Sequence, residues 1–104
     1  MQQTATSPVQ ISGERARSLV RVYLADLARG DSASASSLLA AGSPDSFIDG
    51  TLQIQSVRSS STANGEQNVT ADVTIGVKSY VMSFVVGRSE GSVRILSHSS
   101  NGGT

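Results

Sequence analysis

The sequence predicts an α+β domain, in which two N-terminal helices pack on a curved four-stranded antiparallel sheet. Helical spacing of apolar residues near the N-terminus is the first observation behind this prediction. The second is strict alternation of apolar residues from Asn68 to Val86, which gives each predicted strand one apolar face. The residues of the apolar face are Val69, Ala71, Val73, Ile75 and Val77, then Tyr80, Met82, Phe84 and Val86. The residues between these two runs, 76–79, predict the turn of a hairpin.

The first helix is predicted over residues 12–29. Ser12 is a suitable N-cap, and the carboxylate of Glu14 in the first turn favours the helix dipole. One apolar stripe follows the spacing of a helix, and its members are Ala16, Leu19, Val20, Tyr23 and Leu27. Gly30 is a natural residue just beyond the C-terminus.

A second, shorter helix is predicted over residues 32–41, with Asp31 as its N-cap and Gly42 as its end. The next strand is predicted over residues 51–58. Its alternation slips at Val57, which predicts either a bulge or the end of the strand near Ser56. The last strand is predicted over residues 93–96, and this order of elements indicates an antiparallel sheet wrapped on a helix.

The 104 residues are enough for one domain. We divide the chain into a flexible lead-in at residues 1–9, the domain at residues 10–98 and a polar tail at residues 99–104. The lead-in is uncharged and rich in Ser, Thr and Gln. Such composition is typical of linkers, so we expect the domain to belong to a longer protein.

Composition excludes several function classes. Eight basic residues balance eight acidic ones, so there is no electrostatic basis for binding nucleic acid. With no Cys and one His, zinc-thiolate sites and Cys nucleophiles are excluded, and no metal or other cofactor is expected. No apolar run of about 18 residues is present, so we expect no direct membrane insertion by this segment.

Three fragments resemble a known superfamily. They are YLADLARGD (Tyr23 to Asp31), SSLLAAG (Ser36 to Gly42) and FIDGTLQIQSV (Phe47 to Val57). With three long strands after them, they resemble the nuclear transport factor 2-like (cystatin-like) superfamily, whose members curl a sheet into a cone around the first helix. Within it, the chain is most similar to extracytoplasmic domains of Gram-positive conjugative-transfer proteins. The resemblance implies a membrane-anchored component of a type IV secretion-like assembly.

Enzymes of that superfamily use carboxylates, Tyr or His inside the cone, and Tyr23 and Asp26 are the candidates here. They lie three residues apart on the first helix, so they share one flank. The structural alternative is that Tyr23 packs at the core edge while Asp26 pairs with Arg29. His98 lies in a polar C-terminal stretch where fraying is expected, and we do not expect it to be catalytic.

The outward side of the third strand is unusually apolar. Val81 and Val85 point away from the predicted core, and Leu96 of the next strand shares that direction. A solvated sheet face is normally polar, so the three residues predict a patch for self-association or for a protein partner. The alternative is that they are isolated exposed residues or are covered by further chain.

We therefore predict a non-enzymatic interaction domain, the soluble part of an envelope-associated conjugation or secretion component, placed outside the cytoplasm. Two alternatives stay open. One is a small-ligand-binding or isomerase-like domain that uses the cone interior, and the other is a stand-alone dimeric regulatory module in the cytoplasm. Mostly apolar residues point inward, which favours a filled core over an open polar pocket.

Overall fold

The computed structural model describes residues 11–102. The predicted lead-in, residues 1–9, lies outside the described residues, as do the last two residues of the predicted tail. Two helices come first, α1 (Gly13–Ala28) and α2 (Ser32–Ser37). Four strands follow: β1 (Leu52–Ser61), β2 (Gln67–Ile75), β3 (Lys78–Ser89) and β4 (Ser92–Gly102). The strands pair antiparallel in the order β1-β2-β3-β4, so β1 and β4 form the edges of the sheet.

The predicted fold class is wrong in the weight that it gives to helices. Strands hold 46% of the described residues and helices 24%, so the sheet dominates the molecule. The predicted layer of two helices on the sheet is therefore only partly present. One helix, α1, packs on the sheet, and α2 is a single short turn-like element with one buried residue, Ala35.

The second helix ends early for a local and a tertiary reason. Its serines bond to nearby backbone, as in the 2.6 Å bond from Ser37 Oγ to the carbonyl of Ser34, and such bonds compete with helix propagation. The chain beyond it then pairs with an edge strand instead. Ile95 N–H donates to the Leu38 carbonyl and Ala40 N–H donates to the Ile95 carbonyl, both at 2.8 Å.

Helix α1 begins and ends close to the predicted positions. The Ser12 hydroxyl accepts a 3.0 Å hydrogen bond from Arg15 N–H, which satisfies one free donor of the first turn. Its apolar stripe packs on the inner face of the sheet. The largest fully buried side chains at this contact are Tyr23, Phe84, Leu24, Met82, Ile95, Val20, Val69, Val73 and Val86.

Two hairpins carry the central strands. The turn between β2 and β3 is Gly76–Val77, with Gly76 at φ 63°, a conformation that favours glycine. Val77 was predicted to face the core, but it lies at the tip of this turn and is 98% exposed. The alternation ends at Ile75 because the turn takes the next two residues. The turn between β3 and β4 is Glu90–Gly91, both with positive φ.

Two register shifts shape the sheet. The predicted bulge of β1 is present, between Ile54 and Ser56. A second shift opposite Val85 and Val86 leaves Leu96 of β4 without a direct partner. After it, β4 continues through Gly102, whereas the sequence predicted an end at residue 96 and a loose tail from residue 99. Pairing with β3 supplies the order that the polar sequence of this stretch did not indicate.

The segment between α2 and β1, residues 40–51, crosses the inner side of the sheet near β4. We call it the connecting segment. The Phe47 ring stacks on Tyr80 with the ring centroids 4.8 Å apart, and Ile48 joins the core. Within residues 11–102, no helix combines the length and the apolar character needed to cross a membrane.

Candidate functional site

The side of the sheet turned away from α1 presents three rows of residues across β2, β3 and β4. Pairing places Asp72, Val81 and Asn101 in the first row, Thr70, Ser83 and Ser99 in the second, and Asn68, Val85 and Ser97 in the third. We call these nine residues the outer face. Seven of them are small or amide-bearing polar residues or a carboxylate, and two are valines.

The apolar residues of the predicted patch lie at two ends of this face. Val81 is 44% exposed, while its neighbour Met82 is fully buried on the inner side. Val85 is half-buried. The two valines are four positions apart along β3, a distance of about 13 Å, and the row of Ser83 lies between them. The patch is therefore divided rather than continuous.

Leu96 lies over a glycine on the neighbouring strand. A Cβ atom added to Gly87 would come within 2.6 Å of Leu96 Cδ1 and 3.0 Å of Glu66 Cγ. The absent side chain of Gly87 thus leaves the space that Leu96 fills. Leu96 is half-buried as a result, and it lies at the Val85 end of the outer face.

Small side chains leave two open depressions on the outer face. One, of about 410 Å³, lies around Thr70, Ser83 and Ser99. The other, of about 300 Å³, lies around Asp72, Val81 and Asn101. Both are lined by hydroxyl, amide and valine side chains, so this surface offers hydrogen-bonding groups beside apolar contact area.

The outer face carries one charged residue. Oδ2 of Asp72 lies 3.2 Å from Nη2 of Arg58 and accepts a 2.7 Å hydrogen bond from Ser56 Oγ. Arg58 and Asp72 are both partly exposed, so water screens their pairing and it contributes little to stability. Its effect is to neutralise the only carboxylate of the outer face.

The two weak catalytic candidates take separate partners. Tyr23 is fully buried, and its hydroxyl donates a 2.9 Å hydrogen bond to Oδ2 of Asp45. Burial raises the pKa of Tyr23 well above its usual value, because the phenolate would lose its hydration. Asp26 instead pairs with Arg29, whose Nη2 lies 2.5 Å from Asp26 Oδ1, as the helical spacing predicted. Tyr23 and Asp26 therefore have no shared partner.

His98 is not in a frayed terminus. It lies within β4 opposite Phe84, with 14% of its side chain exposed, and its ring faces Tyr23 at a centroid distance of 5.9 Å. Nδ1 of His98 is 3.3 Å from Oδ2 of Asp45 but lacks the alignment of a hydrogen bond. We call these three side chains the polar cluster: Asp45 of the connecting segment, Tyr23 of α1 and His98 of β4.

Sequence reasoning missed this polar cluster for two reasons. Asp45 follows Pro44 in a stretch with the composition of a turn, so its side chain was not expected to reach the core. The bulge at Leu96 places both Ile95 and His98 on the inner side, so simple alternation hides the inward direction of His98. The polar residues 97–102 gave no signal for this strand, because Asn and Gly are depleted in strands.

The polar cluster lacks the usual features of an active site. The inner space beside it is filled by Tyr23, Phe84 and Met82, each with no more than 1% exposure. In the part of the chain that the structure describes, no three His, Asp or Glu side chains come together so that they could hold a metal ion. The arrangement fastens the connecting segment to α1 and β4.

No family model, curated protein or solved structure matches the chain. The resemblance to the nuclear transport factor 2-like superfamily therefore stays a prediction, based on the three quoted fragments.

Proposed function

We propose that this chain is a non-enzymatic protein-interaction domain whose outer face contacts a protein partner. The observation that carries the proposal is the 44% exposure of Val81 on a sheet face whose only charge is already paired. The solvated face of an antiparallel sheet is commonly polar, so two valines on one strand of the outer face support a contact surface.

The composition of the outer face fits a protein partner. Hydroxyl and amide groups of Ser83, Ser99 and Asn101 can replace their water contacts by hydrogen bonds to a partner. The valines add apolar area, which stabilises association by about 25 cal/mol per Å² removed from water. Arg58 pairs with Asp72, so a partner need not supply a charge opposite that carboxylate.

The proposed setting is an assembly outside the cytoplasm, as the soluble part of a membrane-anchored conjugation or secretion component. This setting depends on two fragments that resemble such proteins, YLADLARGD (Tyr23 to Asp31) and DGTLQIQSV (Asp49 to Val57). Its test is the reading frame upstream of the first codon. An apolar run of about 20 residues there supports the membrane anchor, and a true start at Met1 contradicts it.

A paired substitution tests the outer face. Val81→Asp with Val85→Thr should weaken partner binding or self-association, while far-ultraviolet circular dichroism and the melting temperature stay close to those of the unchanged protein. Val77→Asp is the matched control, because Val77 is 98% exposed and lies at the β2–β3 turn, off the outer face. Unchanged binding and solution mass in the paired variant would contradict the proposal.

A further inference from the structure

The sheet has two edges, and they are not equivalent. The first part of the β4 edge is covered, because Leu38 and Ala40 bond to the backbone of Ile95 at 2.8 Å. Beyond Ile95, residues 97–102 pair with β3 on one side only. Among the described residues, no backbone group bonds to them from the other side. This leaves a six-residue length of edge strand open.

Natural proteins guard open edges with charges, proline or bulges that prevent pairing with another chain. The sequence Ser97 to Gly102 has no charged residue and no proline. Its one titratable residue, His98, is directed inward, where Tyr23 and Asp45 face it. By contrast, the β1 edge carries Arg58 and the bulge at Ile54 and Ser56.

The absence of charge makes the edge compatible with a second copy of itself as the occupant. When a strand pairs antiparallel with its own copy across a two-fold axis, each residue lies opposite residues of the same segment. Like charges would then face each other and destabilise the pair. Residues 97–102 present serine, asparagine and glycine there, so the edge is compatible with itself.

We propose that the β4 edge, residues 97–102, pairs antiparallel with the same edge of a second copy to form one continuous eight-stranded sheet. The two β3 strands would then be three strand spacings apart, or about 14 Å. Both outer faces would lie on the same side, and each Val81 would have a counterpart nearby. The dimer would then present two outer faces to a partner and bind it bivalently. This bivalence depends on the proposed function.

The proposed dimer should have low affinity. Six residues on each side bury much less than the about 1,000 Å² of a stable interface. The dimer should therefore form in the high micromolar range and be favoured where the chain is concentrated or tethered. Sedimentation equilibrium from about 10 μM to about 1 mM should show the mass rising from 10.7 kDa toward twice that value.

Ser100→Lys tests the edge directly. Ser100 is exposed on β4 and lies opposite Met82, so it is not part of the outer face. The added charges of two copies would oppose each other, so dimerisation should weaken at least about ten-fold. Gln53→Lys is the control, since it adds the same charge at an exposed position of β1. The control variant should dimerise like the unchanged protein.

A second measurement does not depend on the variants. Amide hydrogen exchange of the unchanged protein should show protection that grows with concentration and is confined to β4. A mass that stays at 10.7 kDa up to about 1 mM overturns the proposal. So does a dimer that the β1 control disrupts and the β4 variant leaves intact. Loss of the dimer in the Val81→Asp, Val85→Thr variant alone would assign dimerisation to the outer face instead.

A partner-binding measurement tests the edge pairing and the outer-face contact separately. The Ser100→Lys variant leaves the outer face unchanged, so it should be monomeric and still bind a partner through Val81 and Val85, with lower avidity. If the dimer forms as described but no partner contacts the outer face, the edge pairing stands and the proposed function fails.

Discussion

The Tyr23 hydroxyl and Asp45 make two hydrogen bonds with each other. The hydroxyl donates to Oδ2 of Asp45 at 2.9 Å, and the backbone N–H of Asp45 donates back to the hydroxyl oxygen at 3.0 Å. Twenty-two residues separate the two positions along the chain. The contact therefore attaches the connecting segment to the centre of α1. It also holds Asp45 beside His98, on the inner side of β4.

Tyr23→Phe should destabilise the domain. The change removes both hydrogen bonds and leaves Asp45, whose side chain is 13% exposed, with a largely buried carboxylate that has lost a donor. The expected loss is about 1–3 kcal/mol in the free energy of unfolding, measured with urea. Tyr80→Phe, at a half-buried ring, is the control and should cost less than about 0.5 kcal/mol. Equal effects of the two changes would contradict this role of Tyr23.

Alkaline pH should destabilise the protein through the same residue. Burial raises the pKa of Tyr23 in the folded state, whereas an unfolded tyrosine ionises near a pKa of about 10. The folded state therefore holds the proton to higher pH than the unfolded state. Its contribution is complete below about pH 10 and is lost as the pH rises through the folded pKa.

The measurement is the free energy of unfolding between about pH 8 and pH 11. Above about pH 10 it should fall more steeply for the unchanged protein than for Tyr23→Phe. Tyr80 is present in both proteins, so the difference reports Tyr23 alone. Parallel curves would show that the Tyr23 hydroxyl is not held in a buried position.

Gly87→Ala should displace Leu96 from its position over β3. The new Cβ would lie 2.6 Å from Leu96 Cδ1, and the terminal methyl group must move to relieve the overlap. The expected cost is about 1 kcal/mol, with a shift of the Leu96 methyl resonances. Gly50→Ala is the control, because its nearest neighbour, the Ala28 carbonyl oxygen, is 3.6 Å away. An unshifted Leu96 would contradict the packing described here.

Local patterns predicted the centre of the molecule well. Alternation from Val69 to Ile75 identified the buried face of β2, and the slip at Val57 identified the bulge of β1. The Ser12 cap fixed the start of α1. These features are decided by neighbouring residues, so a single sequence is enough to reveal them.

Features decided by tertiary contact were not predictable in this way. Residues 32–41 lie between a suitable N-cap and a glycine, as the residues of a helix do. The backbone of Leu38 and Ala40 nevertheless hydrogen-bonds to Ile95 at the edge of the sheet. His98 is ordered because β3 pairs with it, although its own neighbours are serines. The polar cluster joins three separate segments, and no local spacing can indicate such a contact.

The central claim is that the outer face contacts another protein. Site-specific photo-cross-linking in cells that express the chain natively tests it most directly, with the cross-linker placed in turn at Val81, Val85, Val77 and Val22. Val22 and Val77 are as exposed as Val81 or more so, but lie off the outer face. We expect discrete protein adducts from Val81 and Val85 and none from the other two. Adducts from all four positions alike, or from none, would contradict the claim.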